Sequence, residues 1–308
     1  MMVHAALHSR EMRCQPNTYR LAQEVLVGDS QPDFQPQGRF LMRKSIMSLS
    51  MAVAALAPAM ASAADAPPVT GNGAVVSDYR FRGISQTYLG PAVQGGIDYA
   101  HSSGLYIGNW NSSISGNVFP STSGIEMDFY GGYKKSFGDF GVDVGAIYYW
   151  YPKAKTPSVL GGDDFNNLEA YLGGSWKWLS AKLFYALSDY FGLNDSQANN
   201  WFAHRDTLAP LGAKGSSKGT TYLDLGATVP VTKELSVVAH FGMLSVKKYS
   251  ELDYNDWKLG VTYDLAGWVL GAAYVDTNAD PVWYYTNGSG GIKESGKGGV
   301  VLSVTKSF

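Results

Sequence analysis

The chain has 308 residues and a formal net charge of −2, with 36 Gly, 20 Tyr, 8 Trp and 13 Phe but only 16% charged residues. Soluble domains carry about 25% charged residues, so an ordinary soluble surface is short of charge here, and without a dense Lys/Arg run nothing points to a nucleic-acid partner. Beyond residue 63 no apolar run reaches the roughly 18 residues that a membrane helix requires, which leaves a closed β-barrel as the spanning option.

Residues 1–41 are polar, unpatterned and of mixed charge. Met42, Arg43, Lys44 and Ser45 then form a short basic start, Ile46 to Met60 an apolar stretch, and Ala61, Ser62 and Ala63 an A-x-A cleavage pattern. Residues 42–63 are therefore expected to be a secretory signal peptide, and 64–308 the folded, exported part. Residues 1–41 are expected to be unstructured and to come from a misassigned start codon, an unusually long leader being the alternative. The single cysteine, Cys14, precedes the signal, so the exported part has no disulfide and no thiolate metal site.

From Gly71 onward the chain alternates with period 2 in segments of about ten residues, separated by Gly, Asn, Ser, Asp or Pro clusters. Twelve strands are expected, near 72–83, 91–101, 104–114, 123–136, 140–151, 165–177, 180–190, 219–229, 235–246, 255–264, 267–276 and 298–308. The connections alternate in length. Short ones fall at Ser102 to Gly104, Gly138–Asp139, Leu179–Ser180, Val231 to Glu234 and Ala266–Gly267; long ones fall near 84–90, 115–122, 152–164, 191–218, 247–254 and 277–297. Short turns at one end and long loops at the other define a transmembrane antiparallel up-and-down β-barrel, with periplasmic turns and extracellular loops.

The two faces of the strands differ. In 123–136, Ile125, Met127, Phe129, Gly131 and Tyr133 share one face, and Glu126, Asp128, Tyr130, Gly132 and Lys134 the other. In 72–83, Ser77, Tyr79 and Phe81 oppose Asp78, Arg80 and Arg82; in 255–264, Trp257, Leu259, Val261 and Tyr263 oppose Asp256, Lys258, Gly260, Thr262 and Asp264. A charge facing lipid near the midplane costs about 2–4 kcal/mol, so the charged faces are expected to look into the lumen. The candidate pore-lining set is Asp78, Arg80, Arg82, Asp98, Glu126, Asp128, Lys134, Asp143, Glu169, Lys177, Lys182, Asp224, His240, Lys258 and Asp264. Arg80 and Arg82, two residues apart on one face, are expected to pair with lumen acids such as Asp98 and Glu126. Inward glycines (Gly96, Gly132, Gly145, Gly173, Gly226, Gly242, Gly260 and Gly271) are expected to leave room for an open, narrow pore. The strand 104–114 is ambiguous, since Tyr106 and Trp110 suggest one facing and Leu105 and Ile107 the other.

Aromatic belts are expected at both ends: Trp110, Tyr149, Trp150, Tyr151, Tyr190, Phe191 and Trp257 by the loops, and Phe137, Phe140, Trp176, Trp178, Trp268 and Phe308 by the turns. Val300, Leu302, Val304 and Phe308 share one face of the last strand. Lys306 interrupts that face where its amine can reach the interface. A terminal amphipathic strand closing on Phe308 resembles the signal read by the outer-membrane assembly machinery.

The run from Ser77 to Thr87 (SDYRFRGISQT), with Gln94 to Tyr99, Tyr130 to Lys134 and Tyr148 to Pro152, resembles the TorF family of porin-like proteins, the Gcw_chp outer-membrane family. The resemblance runs from about Gly71 to Phe308. It implies an outer-membrane barrel of porin type and brings no catalytic residues and no cofactor.

The expected function is passive passage of ions or small polar solutes across the cell outer membrane, with lipid, the assembly machinery and small solutes as partners. The competing reading is a closed structural or adhesive barrel with an ion-paired lumen. An enzyme is not expected. Among residues 64–308 the only histidines are His101, His204 and His240, and no GxSxG, HExxH or CxxC pattern occurs. The long loop 191–218, with Trp201, His204, Arg205 and Asp206, either folds inward or lies mobile at the surface. In loop 277–297, Trp283, Tyr284 and Tyr285 stack a sugar or cap the barrel.

Overall fold

The computed structural model describes residues 68–118, 123–155, 164–200 and 202–308. The expected leader and the segment before it lie outside the described residues, as does Trp201.

Among the described residues, sixteen strands and one short α-helix follow in chain order: β1 (Val69–Val76), β2 (Arg80–Phe81), β3 (Ile84–Ser85), β4 (Ala92–Ala100), β5 (Leu105–Ser113), β6 (Ile125–Phe137), β7 (Phe140–Trp150), β8 (Asn167–Trp176), β9 (Leu179–Ala186), α1 (Asp195–Asn200), β10 (Thr221–Pro230), β11 (Leu235–Ser245), β12 (Tyr254–Leu265), β13 (Trp268–Thr277), β14 (Tyr285–Gly288), β15 (Gly291–Glu294) and β16 (Gly299–Ser307). Twelve of them close into one antiparallel barrel in the order β1-β16-β13-β12-β11-β10-β9-β8-β7-β6-β5-β4. β2–β3 and β14–β15 are separate two-stranded hairpins.

Period-2 alternation sets the walls. On β12, Leu259 is 55% exposed and Asp256 1%; on β6, Phe129 is 43% exposed and Glu126 0%. The strand whose facing was ambiguous, β5, turns Leu105 and Ile107 out and buries Trp110.

The five short turns share one end. Ala266 (φ 53°) and Gly267 (φ 81°) both take the left-handed backbone that a tight two-residue hairpin favours. The β8–β9 turn is Lys177–Trp178, two residues earlier than Leu179–Ser180, with Lys177 itself at φ 53°.

Two expectations are corrected. β1 stops at Val76, and the rest of the expected strand 72–83 leaves the wall. The belt by the loops is only partly outward. Trp150 and Trp257 are exposed, but Trp110, Tyr149 and Tyr151 are buried and Phe191 is partly buried against them. Tyr149 and Trp150 are neighbours on one strand, so they must point to opposite faces. At the turn end Phe137, Phe140, Trp176, Trp178, Trp268 and Phe308 all face outward.

Several inward glycines do not simply widen the lumen, because tyrosine rings lie over them. Tyr106 stands opposite Gly132, Tyr130 opposite Gly108 and Tyr171 opposite Gly145. A Cβ added at Gly132 would lie 2.8 Å from Tyr106 Oη, and one at Gly145 2.7 Å from Tyr171 Cζ. Tyr222 covers Gly242 in the same manner. The missing side chain lets each ring lie against the wall, an arrangement that rescues a strand glycine.

Gly108→Val, where a new Cβ would lie 2.4 Å from Tyr130 Cε2, is therefore expected to lower stability by about 1–3 kcal/mol through overpacking, read as a lower urea midpoint in detergent micelles. Gly73→Val, where the nearest atom to a new Cβ is Gln94 O at 4.0 Å, is expected to leave the midpoint in place. Equal midpoints for both variants would remove the ring-on-glycine account.

Candidate functional site in the barrel interior

After β1 the chain turns inward. Ser77 supplies the last rung to β16: its N–H donates to Leu302 O (2.9 Å), while Leu302 N–H donates to Ser77 Oγ (2.9 Å). A side chain has taken over from the backbone, and the ladder ends there. β2 and β3 then form a hairpin, Arg80 opposite Ser85 and Phe81 opposite Ile84. Arg82 (φ 48°) and Gly83 (φ 80°) make its turn. Gly83 sits so close to the wall that a Cβ there would lie 2.7 Å from Asp256 Cβ.

The hairpin bonds to itself. Asp78 accepts from Ser85 Oγ (2.6 Å) and pairs with Arg80 Nε at 2.5 Å. Tyr79 N–H donates to Thr87 Oγ1 (3.1 Å). The hairpin also joins the loops: Arg80 Nη1 donates to Lys297 O (2.9 Å), and Ser85 N–H donates to Ser295 O (2.9 Å). Asp78, Arg80 and Arg82 thus lie on an inserted segment and not on the wall where strand alternation had put them.

Arg82 carries the hairpin across the lumen to β8, five strands round from β1. Its Nη2 donates to Glu169 Oε2 (2.6 Å) and its Nη1 to Glu169 Oε1 (3.1 Å), a bidentate pair. Nη1 also reaches Tyr190 Oη at 3.1 Å. The two side chains are 0% and 1% exposed. The guanidinium stacks 4.3 Å from the Tyr222 ring centroid and 5.3 Å from that of Phe184. The acids expected to pair with the arginines do otherwise: Asp98 accepts from Tyr130 Oη (2.7 Å), and the Glu126 carboxylate is faced by Tyr79 and Tyr151.

Two polar groups occupy the wall itself. His240 Nε2 lies 2.8 Å from Asp256 Oδ1, and its Nδ1 lies 3.2 Å from Asp224 Oδ1; Tyr222 Oη donates to Asp256 Oδ2 (2.8 Å). Lys182 Nζ lies 2.8 Å from Asp143 Oδ2, and Tyr106 Oη donates to Asp143 Oδ1 (2.6 Å). Lys134 stands at the turn end with its amine 5.3 Å from the Tyr106 ring centroid. Lys177 and Asp264 leave the set. Lys177 is a half-exposed turn residue 4.0 Å from Asp139, and Asp264 accepts from Gly267 N–H (2.6 Å), fixing the β12–β13 turn. Asp256, Tyr106, Tyr171 and Tyr222 belong to the interior network but were not in the candidate set. Asp256 shares its face with Lys258, which was signal enough to include it.

The hairpin divides the interior into two cavities. One of about 220 Å³ lies against the hairpin on the side of Arg80, Arg82 and His240. Its wall on β1, β13 and β16 mixes small residues, Ala74, Gly271, Ala273 and Ser303, with Val76, Val269, Val275, Val301 and Thr305. Lys258 lines it too, in the field of Asp224 and Asp256. The second, about 460 Å³, lies on the loop side among Phe81, Ile84, Tyr254 and Tyr284.

The long loops pack on one another. Leu193, Leu211, Leu244, Val246 and Leu252 form one apolar cluster with Ile84, and Trp283 and Tyr284 pack onto it. His204 meets Trp283 edge-on with centroids 5.4 Å apart. Arg205 pairs with Asp206 at 2.8 Å and Glu294 at 3.5 Å, and its hydrogen bond holds the Asp206 carboxyl below its usual value. Lys214 does the same to Glu251 through their ion pair.

Residues 60–308 match the family described as bacterial protein of unknown function (Gcw_chp). The chain belongs to the Gcw_chp family. The matched span contains the entire barrel, with the hairpin and all the interior groups above. No curated protein matches this Gcw_chp chain. Among solved structures it is similar to the KdgM porin, with 11% identity over 78% of this chain and 99% of that one and a TM-score of 0.43. It is similar to the NanC porin at 9% identity, over 77% and 97%, with a TM-score of 0.43. The outer-membrane protein OprD from Pseudomonas aeruginosa gives 11% identity over 71% and 59%, with a TM-score of 0.34.

Glu169→Ala strands Arg82 as a buried, unpaired cation and is expected to cost about 3–5 kcal/mol. The double substitution Arg82→Met with Glu169→Leu is expected to recover most of that loss. Chemical denaturation of the two variants and the parent checks this; a double variant no more stable than Glu169→Ala alone would place the cost elsewhere.

Proposed function

We propose that this Gcw_chp barrel is a narrow channel in the outer membrane for passive passage of ions or small polar solutes, the role the TorF resemblance implies. The observation that carries the reading is the interior cavity against the hairpin, where Arg80, Arg82, His240, Asp256 and Lys258 share a space with a wall of small and β-branched residues. A charged inner face inside an apolar outer face is the arrangement of a pore in lipid, and the charges on its wall set which ions pass.

In this reading the pore-lining groups divide by place. Asp98, Lys134, Asp143, Lys182, Asp224, His240 and Lys258 line the wall. Asp78, Arg80 and Arg82 form the constriction, which Glu169 fastens, and Glu126 and Asp128 stand beside it. The segment 42–63 directs export of residues 64–308. The last strand, with Val300, Leu302, Val304 and Phe308 facing outward, addresses the barrel to the assembly machinery. The Lys306 amine donates to Ala266 O at 3.4 Å and lies 5.5 Å from the Trp268 ring centroid, a position from which it reaches the interface. The chain performs no catalysis.

The second reading, a closed structural barrel, has one observation in its favour: the hairpin spans the lumen and is held at both sides. Conductance in a planar bilayer separates the two. The refolded protein is expected to give discrete, small current steps, Arg82→Ala to enlarge them, and Lys258→Glu to move the reversal potential toward cations. Correctly folded protein that gives no steps is the closed barrel, and an unmoved reversal potential takes Lys258 off the pathway. The membrane placement is tested separately. Leu259→Arg, on the outer face, is expected to cost about 2–4 kcal/mol in lipid vesicles; an unchanged unfolding midpoint would contradict a lipid-facing Leu259.

A further inference from the structure

The loop-side cavity differs from the lumen in chemistry. Among the described residues none of its lining side chains is charged, whereas Asp78, Arg80, Arg82, Asp256 and Lys258 all touch the cavity across the hairpin. Aromatic rings bound it on several sides. Phe191 is the hub: its ring centroid lies 5.6 Å from that of Phe81, 6.0 Å from Tyr151 and 5.7 Å from Phe165. Phe191 takes a left-handed backbone (φ 46°, ψ 42°), an unfavourable conformation for a bulky residue that persists only where its surroundings hold it. On the far side Tyr254 and Tyr284 meet edge-on at 5.0 Å, and the Tyr284 hydroxyl is already spent on Leu252 O at 2.6 Å.

The lining is uncharged but includes the polar Gln86, Asn117 and Asn287, and among the described residues one buried lining group is unsatisfied. Thr286, on β14, lines the cavity, is 4% exposed, and its hydroxyl has no hydrogen-bond partner. A buried hydroxyl left open is unfavourable, and a ligand that pairs with it gains that interaction back. The volume, about 460 Å³, is within the range of roughly 300–1,000 Å³ typical of small-molecule sites.

We propose that this chamber is a binding site for a small, uncharged aromatic compound of one or two fused rings bearing a single hydroxyl or carbonyl group. The rings stack among Phe81, Phe191, Tyr254 and Tyr284, and the polar group pairs with Thr286 Oγ1. A carboxylate-bearing relative is excluded, because the chamber offers it no cation. The site is independent of whether the lumen conducts, since the hairpin lies between the two cavities.

Equilibrium dialysis of the full-length protein refolded in detergent micelles tests this, with 2-naphthol, naphthalene and 2-naphthoate as probes and protein-free micelles as the blank. Heat-modifiable gel migration verifies that each variant is folded. The parent protein is expected to bind 2-naphthol at one saturable site above the micelle blank, and 2-naphthoate at none. Thr286→Val is expected to weaken 2-naphthol about fivefold, the scale of one neutral hydrogen bond, while leaving naphthalene unchanged. Ala203→Trp, which fills the chamber from its loop side, is expected to abolish saturable binding of both neutral probes. If Ala203→Trp does not fold, the Thr286→Val comparison decides alone. Retention of 2-naphthol equal to the blank, equal affinity for 2-naphthoate, or 2-naphthol binding that Thr286→Val leaves unchanged overturns the proposal.

Discussion

β1 pairs with β16 from Asn72 opposite Ser307 to Val76 opposite Ser303, and beyond that seam Gly71 and Phe308 exchange two backbone hydrogen bonds. A sheet closed in this way has no edge, so every strand has two neighbours and only two faces remain to be specified. The sharp alternation of Leu259 with Asp256, or Phe129 with Glu126, has meaning only because the ladder closes. Closure by twelve strands also sets a difficulty. Eight strands can be filled by their own side chains and sixteen leave an aqueous channel. At twelve, wall residues alone do not fill the loop half, and the chain between β1 and β4 enters it and leaves the loop-side cavity of about 460 Å³.

The interior is asymmetric as a result. Between β5 and β10 the wall carries Tyr106, Tyr130, Tyr149, Tyr171, Phe184 and Tyr222, several of them laid over glycines of the next strands. Around β13, β16 and β1 it carries Gly271, Ala273, Ser303 and Ala74. The rings give Arg82 a stacked, hydrogen-bonded place at Glu169. The small residues leave the space on the opposite side. One half of the barrel therefore binds the hairpin and the other leaves room beside it.

The barrel was legible in the sequence because its determinants are local. Period-2 alternation, turn residues such as Ala266–Gly267 and segregated loop lengths each need only a few neighbouring residues. What was not legible depends on contacts far apart in the chain. The segment Ser77 to Gly83 alternates like a strand, yet it leaves the wall because Ser77 Oγ ends the ladder and Arg82 finds Glu169, 87 positions later. Alternation also placed Lys177 and Asp264 on an inner face, but both lie at turns, where the face ceases to matter. Inward glycines read as empty space since their occupants, the tyrosines, come from adjacent strands and are assigned only once the register is known. Trp110 and Tyr149 looked like belt residues by position; their facing follows from the parity of β5 and β7.

The hairpin is held by apolar packing of Tyr79, Phe81 and Ile84 and by directional contacts. It carries its own Asp78–Arg80 pair and Ser85 hydrogen bond, reaches the loops through Lys297 O and Ser295 O, and meets the far wall through one bidentate pair. A buried ion pair is a poor way to gain stability, because its desolvation cost offsets most of the attraction, and an apolar replacement often does as well. Its value is geometric. Two parallel N–H···O bonds between Arg82 and Glu169 admit a single placement of the hairpin turn, where an apolar contact would allow sliding. In the proposed channel, the width beside the hairpin follows from that placement and from the small residues facing it. The strand number sets the outer size of the barrel; the passage is set by Arg82, Gly83 and the wall that they approach.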